Sequence, residues 1–229
     1  TGLDLAAGKN LVGAFWQPRV VVADVEALAT LPPAVLREGA VELYKHALLA
    51  DAPWRSAFHP ADGAFGLADD LDADAWTRLV AAGVRVKTDV VAGDPLEKGA
   101  RAHLNLGHTL AHALETATDH ALAHGSAVAY GLAYAALLGH GRGLDDWRAD
   151  AFALARWAAD APLPDVPYGD LRGIMARDKK RRGGRVRFVL LERLGRPTVV
   201  DDVDDPELEH AWTTLRATLG PSPEEVATP

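Results

Sequence analysis

The chain has 229 residues, of which 24 are basic and 32 acidic, so its net charge is −8. This negative charge argues against broad binding to nucleic acid or to an anionic membrane surface. The lack of cysteine excludes disulfides and thiolate chemistry. The longest apolar stretch, residues 127–139, is too short to cross a bilayer, and the first residues have no secretory-signal pattern. We therefore expect a cytoplasmic location.

Short strands are predicted in the amino-terminal part. Residues 19–24 are rich in β-branched side chains, and residues 11–15 are predicted to pair with them. Further along, apolar residues recur at intervals of three and four, which is typical of amphipathic helices. This pattern predicts helices over residues 34–49, 75–90, 105–118, 126–139 and 145–161.

Between and after these helices the sequence predicts less regular structure. Residues 60–74 are rich in Ala, Asp and Gly and are predicted to form a loop. Residues 186–192 and 198–203 are predicted to form a β-hairpin with its turn at Gly195, Arg196 and Pro197. Residues 221–229 are expected to fray.

Three histidines are concentrated at His108, His112 and His124. His108 and His112 share one helix face, and a loop through Asp119 and His120 can return His124 to it. Such a set can hold zinc, which in catalytic sites takes three protein ligands and leaves one position open. With nine histidines in the chain, a chance cluster of solvated or core residues is the alternative. A zinc protease is disfavoured because Thr109 stands where that motif needs a glutamate.

Two further charged patterns have more than one interpretation. Glu42 and Lys45 lie one helical turn apart, which from pattern alone favours an ordinary surface ion pair. A basic run between Arg177 and Arg187 is compatible with a nucleic-acid patch, a solvated surface or a phosphate site.

Five segments, taken in order, resemble one known family. They read GKNLVGAFWQP at 8–18, ELYK at 42–45, RAHLNLGHT at 101–109, HG at 124–125 and DKK at 178–180. The sequence between residue 1 and about residue 194 is thereby similar to 3-dehydroquinate synthase, a member of the sugar phosphate cyclases. That family has an additional amino-terminal half with a nucleotide-binding sheet, which has no counterpart in this sequence.

The resemblance implies a mainly α fold, namely the helical carboxy-terminal domain of a dehydroquinate-synthase-like protein with a few short antiparallel strands. The amino-terminal nucleotide-binding α/β half is expected to be absent. Residues 1–30 are interpreted as strand pieces of the NAD-binding domain, residues 31–220 as the metal- and substrate-binding domain, and residues 221–229 as a flexible tail.

The resemblance also implies a phosphate-eliminating lyase of the shikimate pathway, which serves aromatic amino acid biosynthesis. The family uses NAD and zinc to convert 3-deoxy-D-arabino-heptulosonate 7-phosphate to 3-dehydroquinate and phosphate. We expect a homodimer, a missing amino-terminal half as partner, and no activity from this chain alone. Another sugar phosphate cyclase and a noncatalytic binding domain of the same fold are the alternatives.

Residue roles are carried over from the family onto matching positions. The metal ligands implied are Glu42, His108 and His124, and nitrogen and oxygen ligands accept zinc or cobalt. The resemblance implies that Lys87 and Arg101 bind the substrate carboxylate. Lys45 matches a residue near the substrate hydroxyls, and the phosphate-side groups implied are Asn105, His112 and one or both of Lys179 and Lys180. Asn10 matches a substrate contact, and the NAD contacts implied are Lys9, Ala27, Leu28, Ala29 and Thr30.

Overall fold

The computed structural model of the chain describes residues 2–5, 8–14, 16, 18–59, 65–67, 71–96, 99–181 and 186–220, without the side chains of residues 2, 4, 5, 8–11 and 178–181. Its helices are α1 (Pro33–Ala50), α2 (Ala73–Gly93), α3 (His108–Ala117), α4 (His124–Gly141), α5 (Arg148–Ala158), α6 (Tyr168–Arg181) and α7 (Asp205–Leu219). Its strands are β1 (Gly2–Leu5), β2 (Gly8–Gly13), β3 (Phe188–Arg193) and β4 (Arg196–Val200). Short 3₁₀ helices span Val25–Thr30, Pro53–Phe58 and Ala100–Asn105.

The centre of the core is α4. Every residue from Gly125 to Gly139 is buried, and small and apolar side chains occupy all sides of this helix. A helix that is apolar all round must be enclosed by other elements. Accordingly, α1, α3, α5, α7 and β3 all pack against α4.

Backbone contact between glycines brings the start of α3 against α4. A Cβ added to Gly131 would lie 1.9 Å from the carbonyl oxygen of Gly107, so only glycine permits this approach. Gly107 itself has φ of +79°, in the left-handed region that glycine adopts without strain. The contact fixes where α3 begins, and the first residue of that helix is His108.

Buried and partly buried polar contacts join the helices to one another. The Tyr44 hydroxyl of α1 donates to the Asp150 carboxylate of α5 at 2.7 Å, and Arg55 donates to the same oxygen at 2.7 Å. The Tyr134 hydroxyl of α4 donates to the Leu208 carbonyl of α7 at 2.9 Å. Buried groups paired in this way avoid the cost of unsatisfied donors and acceptors.

The strands form two antiparallel pairs. β1 pairs with β2, with Gly2 opposite Gly13 and Leu3 opposite Val12. β3 pairs with β4, and the residues from Phe188 to Leu191 are buried where β3 packs against α4. The predicted fold class, mainly helical with a few short antiparallel strands, is thus confirmed for the described residues. Among those residues, no helix combines the length and apolar character needed to cross a membrane.

The strand predicted over residues 19–24 is wrong. These residues belong to neither strand pair of the described structure, and Val20, Val21 and Val22 are exposed. β-branched residues favour a strand through packing on a pleated surface, and no neighbouring strand accompanies them among the described residues. The predicted pairing of residues 11–15 with residues 19–24 is also wrong, because residues 11–13 belong to β2, which pairs with β1. Phe15 lies outside the described residues.

The five predicted helices correspond to α1 to α5, with shifted ends. Asn105 belongs to a 3₁₀ helix and not to α3, because the left-handed Gly107 interrupts the helical path. α5 is shorter than the predicted 145–161, and Ala73 and Asp74, predicted in a loop, lie in α2. Much of the remaining 60–74 prediction and all of 221–229 lie outside the described residues.

The end of the chain differs from the prediction in two ways. Arg196 and Pro197, predicted in the hairpin turn, belong to β4. Two helices, α6 and α7, were not predicted.

Replacing Gly131 by alanine is expected to destabilise the fold. The new Cβ would overlap the Gly107 carbonyl, and overpacking of this kind costs about 3 kcal/mol at the upper end of its usual range. Gly141→Ala is the matched control in the same helix, since its Cβ would meet no atom within 4 Å. Urea unfolding followed by circular dichroism measures both variants. Equal unfolding free energies for the two variants would contradict the importance of this contact.

Candidate metal centre

Three helices each present one metal-binding side chain to a common point. Glu42 lies near the middle of α1, His108 is the first residue of α3, and His124 is the first residue of α4. One ligand atom from each of these residues lies within 4.8 Å of the other two. Ligand atoms around a tetrahedral zinc ion are separated by about 3.4 Å. The arrangement therefore needs only small side-chain movements to enclose a divalent ion.

The connection from α3 to α4 returns His124 towards His108. Asp119 and His120 have φ of 50° and 62°, so two consecutive left-handed residues reverse the chain. Asp and His are among the residues that adopt this region most readily. The ring centroids of His108 and His124 are 5.5 Å apart, which confirms the predicted return of His124 to the face of His108.

One oxygen of Glu42 is buried and accepts no hydrogen bond from the described residues. This atom, Oε1, lies 3.6 Å from Nε2 of His108. The other oxygen, Oε2, accepts from Nζ of Lys45 at 2.7 Å. A buried acceptor without a partner costs about 1–3 kcal/mol. A cation between Glu42 and the imidazoles would remove this cost, so the residues fit a metal ion.

Both imidazoles have a partner at Nδ1. His108 Nδ1 lies 3.1 Å from the Leu106 carbonyl oxygen, and His124 Nδ1 lies 3.3 Å from Oε1 of Glu115. Each acceptor favours the tautomer with a proton on Nδ1, which leaves the lone pair on Nε2. This is the usual way in which proteins orient metal-binding histidines.

The charge states also suit a cation. Burial, together with the nearby Lys45 ammonium, lowers the pKa of His108 to about 4, so its ring is neutral at pH 7. Burial alone would raise the pKa of Glu42, but Lys45 and His108 outweigh it and lower that pKa. The hydrogen bond with Glu115 raises the pKa of His124, so a metal ion must displace a proton from this ring where the ring is protonated. A carboxylate and neutral imidazoles are the protonation states that bind zinc, and Glu42 and His108 are already in them.

Comparison with known families identifies the chain. The family profile described as 3-dehydroquinate synthase C-terminal matches residues 39–181, and the profile described as 3-dehydroquinate synthase N-terminal matches residues 1–38.

The chain belongs to the 3-dehydroquinate synthase family.

Curated members of the 3-dehydroquinate synthase family are similar over most of the chain. The 3-dehydroquinate synthase of Salinibacter ruber is 40% identical over 216 residues, covering 93% of this chain and 58% of the relative. That of Paracoccus denitrificans is 43% identical over 230 residues, covering 94% of this chain and 60% of the relative. The chain thus spans less than two thirds of the length of these relatives.

Solved structures of related cyclases share the fold. A 2-epi-5-epi-valiolone synthase from Streptomyces hygroscopicus subsp. jinggangensis, with NAD⁺ and Zn²⁺ bound, matches with a TM-score of 0.74 and 25% identity, covering 95% of this chain and 61% of that one. A 2-deoxy-scyllo-inosose synthase, complexed with carbaglucose-6-phosphate, NAD⁺ and Co²⁺, matches with a TM-score of 0.71 and 26% identity, covering 95% and 62%.

Lys45 lies beside the metal ligands and is not the surface residue that the helical pattern alone favours. Its residue is only 2% exposed. Burial lowers the pKa of Lys45, and Glu42 opposes that shift. Lys87 is exposed on α2, yet its charge contributes to lowering the pKa of Lys45, so the two ammonium groups face a common region.

His112 lies one turn beyond His108, with ring centroids 5.5 Å apart, but it is exposed and not part of the three-ligand group. Arg101 donates from its guanidinium to the Pro95 carbonyl at 3.0 Å. Asn105 lines a recess of about 420 Å³ together with Thr109 and Arg187. These predicted substrate residues therefore lie on the segments adjoining the metal ligands.

Four of the predicted NAD contacts lie in the 3₁₀ helix Val25–Thr30, namely Ala27, Leu28, Ala29 and Thr30. Leu28 and Ala29 line a recess of about 620 Å³ that Trp76 also borders. Ala27 accepts from the Thr30 hydroxyl at 2.8 Å. The side chains of four other predicted residues lie outside the described part, namely Lys9 and Asn10 in β2 and Lys179 and Lys180 in α6.

Glu115 is a residue of this site that was not predicted from the sequence. It is 4% exposed, and it follows the otherwise apolar buried residues Leu110, Ala111, Ala113 and Leu114 of α3. A lone acidic residue on the buried face of a helix, seven positions after His108, was the available signal.

We expect the chain to bind one Co²⁺ ion in a low-symmetry site and to lose it when a ligand is removed. Glu42→Gln should weaken binding by more than about 100-fold, because losing even a group that only supports a ligand costs about 10- to 100-fold. His112→Asn is the matched control, since it changes a neighbouring imidazole outside the ligand group. Titration of the visible absorption of Co²⁺ measures both variants. An equal loss in His112→Asn would contradict the ligand set.

Proposed function

We propose that this chain is the metal- and substrate-binding part of a 3-dehydroquinate synthase. The complete enzyme converts 3-deoxy-D-arabino-heptulosonate 7-phosphate to 3-dehydroquinate and phosphate, as a phosphate-eliminating lyase. The observation that carries this proposal is the unpartnered oxygen of Glu42, which faces His108 and His124 beside the buried Lys45. The reaction is inferred from the family to which the chain belongs.

The proposed metal ligands are Glu42, His108 and His124, which suit zinc or cobalt. When bound, the metal ion supplies Lewis acidity at a substrate oxygen, and NAD supplies reversible oxidation of a ring hydroxyl. Glu42 divides its two oxygens between the ligand position and Lys45. This second contact keeps the carboxylate ionised and its orientation fixed.

Lys45 is proposed to contact the substrate hydroxyls. Its ammonium has three donors, and Glu42 Oε2 accepts one of them. Burial lowers the pKa of Lys45, which brings proton transfer at Nζ closer to neutral pH. The group is therefore suited to donate hydrogen bonds to a reacting hydroxyl and to exchange a proton with it.

The acidic ends of the substrate are proposed to bind to cationic and amide groups on both sides of the metal ligands. Lys87 and Arg101 bind the carboxylate, for which a guanidinium fork and an ammonium are complementary. Around the departing phosphate we place Asn105, His112, Lys179 and Lys180, with Asn10 as a further substrate contact. Positive charge and donors there stabilise the leaving group as negative charge develops on it.

NAD is proposed to contact Lys9 and the segment Ala27, Leu28, Ala29 and Thr30. The largely apolar recess beside Leu28 and Ala29 has the size and character of a site for part of a small cofactor. We further propose the division into residues 1–30, 31–220 and 221–229, a cytoplasmic location, a homodimer, and a nucleotide-binding half as partner.

Replacing Lys87 by methionine in the complete enzyme is expected to raise KM for the acid-bearing substrate by about 10- to 100-fold, the worth of one hydrogen bond to a charged group. Arg85→Met, a change of exposed charge on the same helix, is the matched control and should leave KM unchanged. Steady-state phosphate release measures both variants. An unchanged KM in Lys87→Met would remove Lys87 from the carboxylate site.

A second candidate is another sugar phosphate cyclase, because the two solved structures described above are a 2-epi-5-epi-valiolone synthase and a 2-deoxy-scyllo-inosose synthase, the latter with carbaglucose-6-phosphate bound. Substrates without a carboxylate would leave Lys87 and Arg101 unmatched. Assaying phosphate release from a heptulosonate phosphate and from glucose 6-phosphate separates the two candidates. Turnover of only the second compound would favour the alternative.

We expect the 229-residue chain to be inactive by itself and to gain activity when combined with a nucleotide-binding half from a relative. The reason is that the relatives extend well beyond the aligned region. The family resemblance implies that the nucleotide-binding sheet lies in that extension. Phosphate release with NAD and zinc measures the reconstitution. Turnover by the isolated chain would contradict this expectation, and a folded complex that binds metal without turnover would favour a noncatalytic binding domain.

A further inference from the structure

Glu115 is a buried acidic residue that is not among the metal ligands. Its side chain is 5% exposed, and α3 surrounds it with apolar buried residues. Burying a carboxylate is costly unless it is paired. Leucine or alanine at this position would avoid that cost. We therefore expect the carboxylate to make an interaction that an apolar side chain cannot make.

The carboxylate lies against the half-exposed histidine of the metal centre. Oε1 of Glu115 is 3.3 Å from Nδ1 of His124, whose side chain is 48% exposed. A ring this exposed is held only weakly by packing. A direct polar contact is therefore needed to fix the orientation of this ring.

The other histidine is oriented differently. His108 is 13% exposed in its side chain, and its Nδ1 is 3.1 Å from the Leu106 carbonyl two residues earlier. Packing and a local backbone acceptor therefore fix that ring. Only His124 depends on a side chain from another helix, and only there does the acceptor carry a full negative charge.

We propose that Glu115 is a positioning residue, which holds Nδ1–H of His124 so that Nε2 faces Glu42. Its negative charge makes the imidazole more basic and so a stronger ligand. The inference rests on the proposed metal centre and adds to it a group that touches neither metal nor substrate. It also accounts for the buried carboxylate, which remains paired with the ring when the metal is bound.

The test compares Glu115→Gln and Glu115→Leu with the unchanged chain by Co²⁺ titration. Glutamine still accepts from Nδ1–H but lacks the charge, whereas leucine removes both. We expect the affinity to fall about 10-fold for glutamine and about 100-fold for leucine. In the leucine variant the ligand-field spectrum should also change, and the ¹⁵N signals of His124 should lose the single Nδ1-protonated tautomer.

Thr118→Val is the matched control. Thr118 stabilises the same connection, by donating to the Leu114 carbonyl at 2.9 Å and accepting from Leu122 N at 3.3 Å, without touching His124. It should lower the stability to urea but leave the Co²⁺ affinity and spectrum unchanged. Glutamine is nearly isosteric with glutamate, so this variant keeps the test valid if leucine prevents folding.

The possible outcomes distinguish the existence of the metal centre from the role of Glu115. If the unchanged chain shows no Co²⁺ site, the metal centre itself is wrong. If that site exists and Glu115→Gln binds Co²⁺ with the same affinity and the same His124 tautomer as the unchanged chain, the role of Glu115 is overturned while the metal centre stands. A loss in Thr118→Val as large as in Glu115→Leu would also overturn it, because general loosening of the connection would then explain both.

Discussion

Close backbone approach next to the ligands is the constraint on which the site depends. Gly107 precedes His108 and touches Gly131, while Gly125 follows His124, where an added Cβ would lie 2.4 Å from the Cβ of Glu38. Gly125 N also donates to the Glu38 carboxylate at 3.4 Å. Each histidine is thus fixed by a glycine beside it against a neighbouring helix, so the ligand geometry is a direct product of helix packing.

Charge balance explains why such a site can be stable before any ion binds. Glu42 and Glu115 contribute two negative charges and Lys45 one positive charge, so with neutral imidazoles the centre has one excess negative charge. Burial makes this excess costly. The raised pKa of His124 favours a protonated ring, which offsets the excess when no ion is bound. A divalent ion would reverse the sign of the excess and make the centre attractive to an anion. The buried ammonium of Lys45 therefore lowers the cost of burying negative charge when no ion is bound. When an ion is bound, it would add to the attraction for an anion.

The sequence predicted the parts of this arrangement that depend on local spacing. Helical periodicity located α1 to α5, and the four-residue interval placed His108 and His112 on one face. Glu42 could be assigned only through resemblance, since nothing local shows that it meets residues more than sixty positions away. α6 is mostly polar and escaped detection, whereas the Asp204–Glu207 capping box with proline in the first turn was an available signal for α7. The strand predicted over residues 19–24 was wrong because β-branched residues form a strand only where a neighbouring strand pairs with them.

Helix α3 places three polar side chains along one face in different surroundings. His108, the proposed ligand, starts the helix, Glu115 two turns later is buried against His124, and His112 between them is open to solvent. Spacing alone makes His112 as good a ligand as His108, but only His108 follows the left-handed glycine that brings the backbone against α4. Depth within the packing, which the sequence interval does not encode, thus decides which imidazole meets Glu42 and His124 and which is open to solvent.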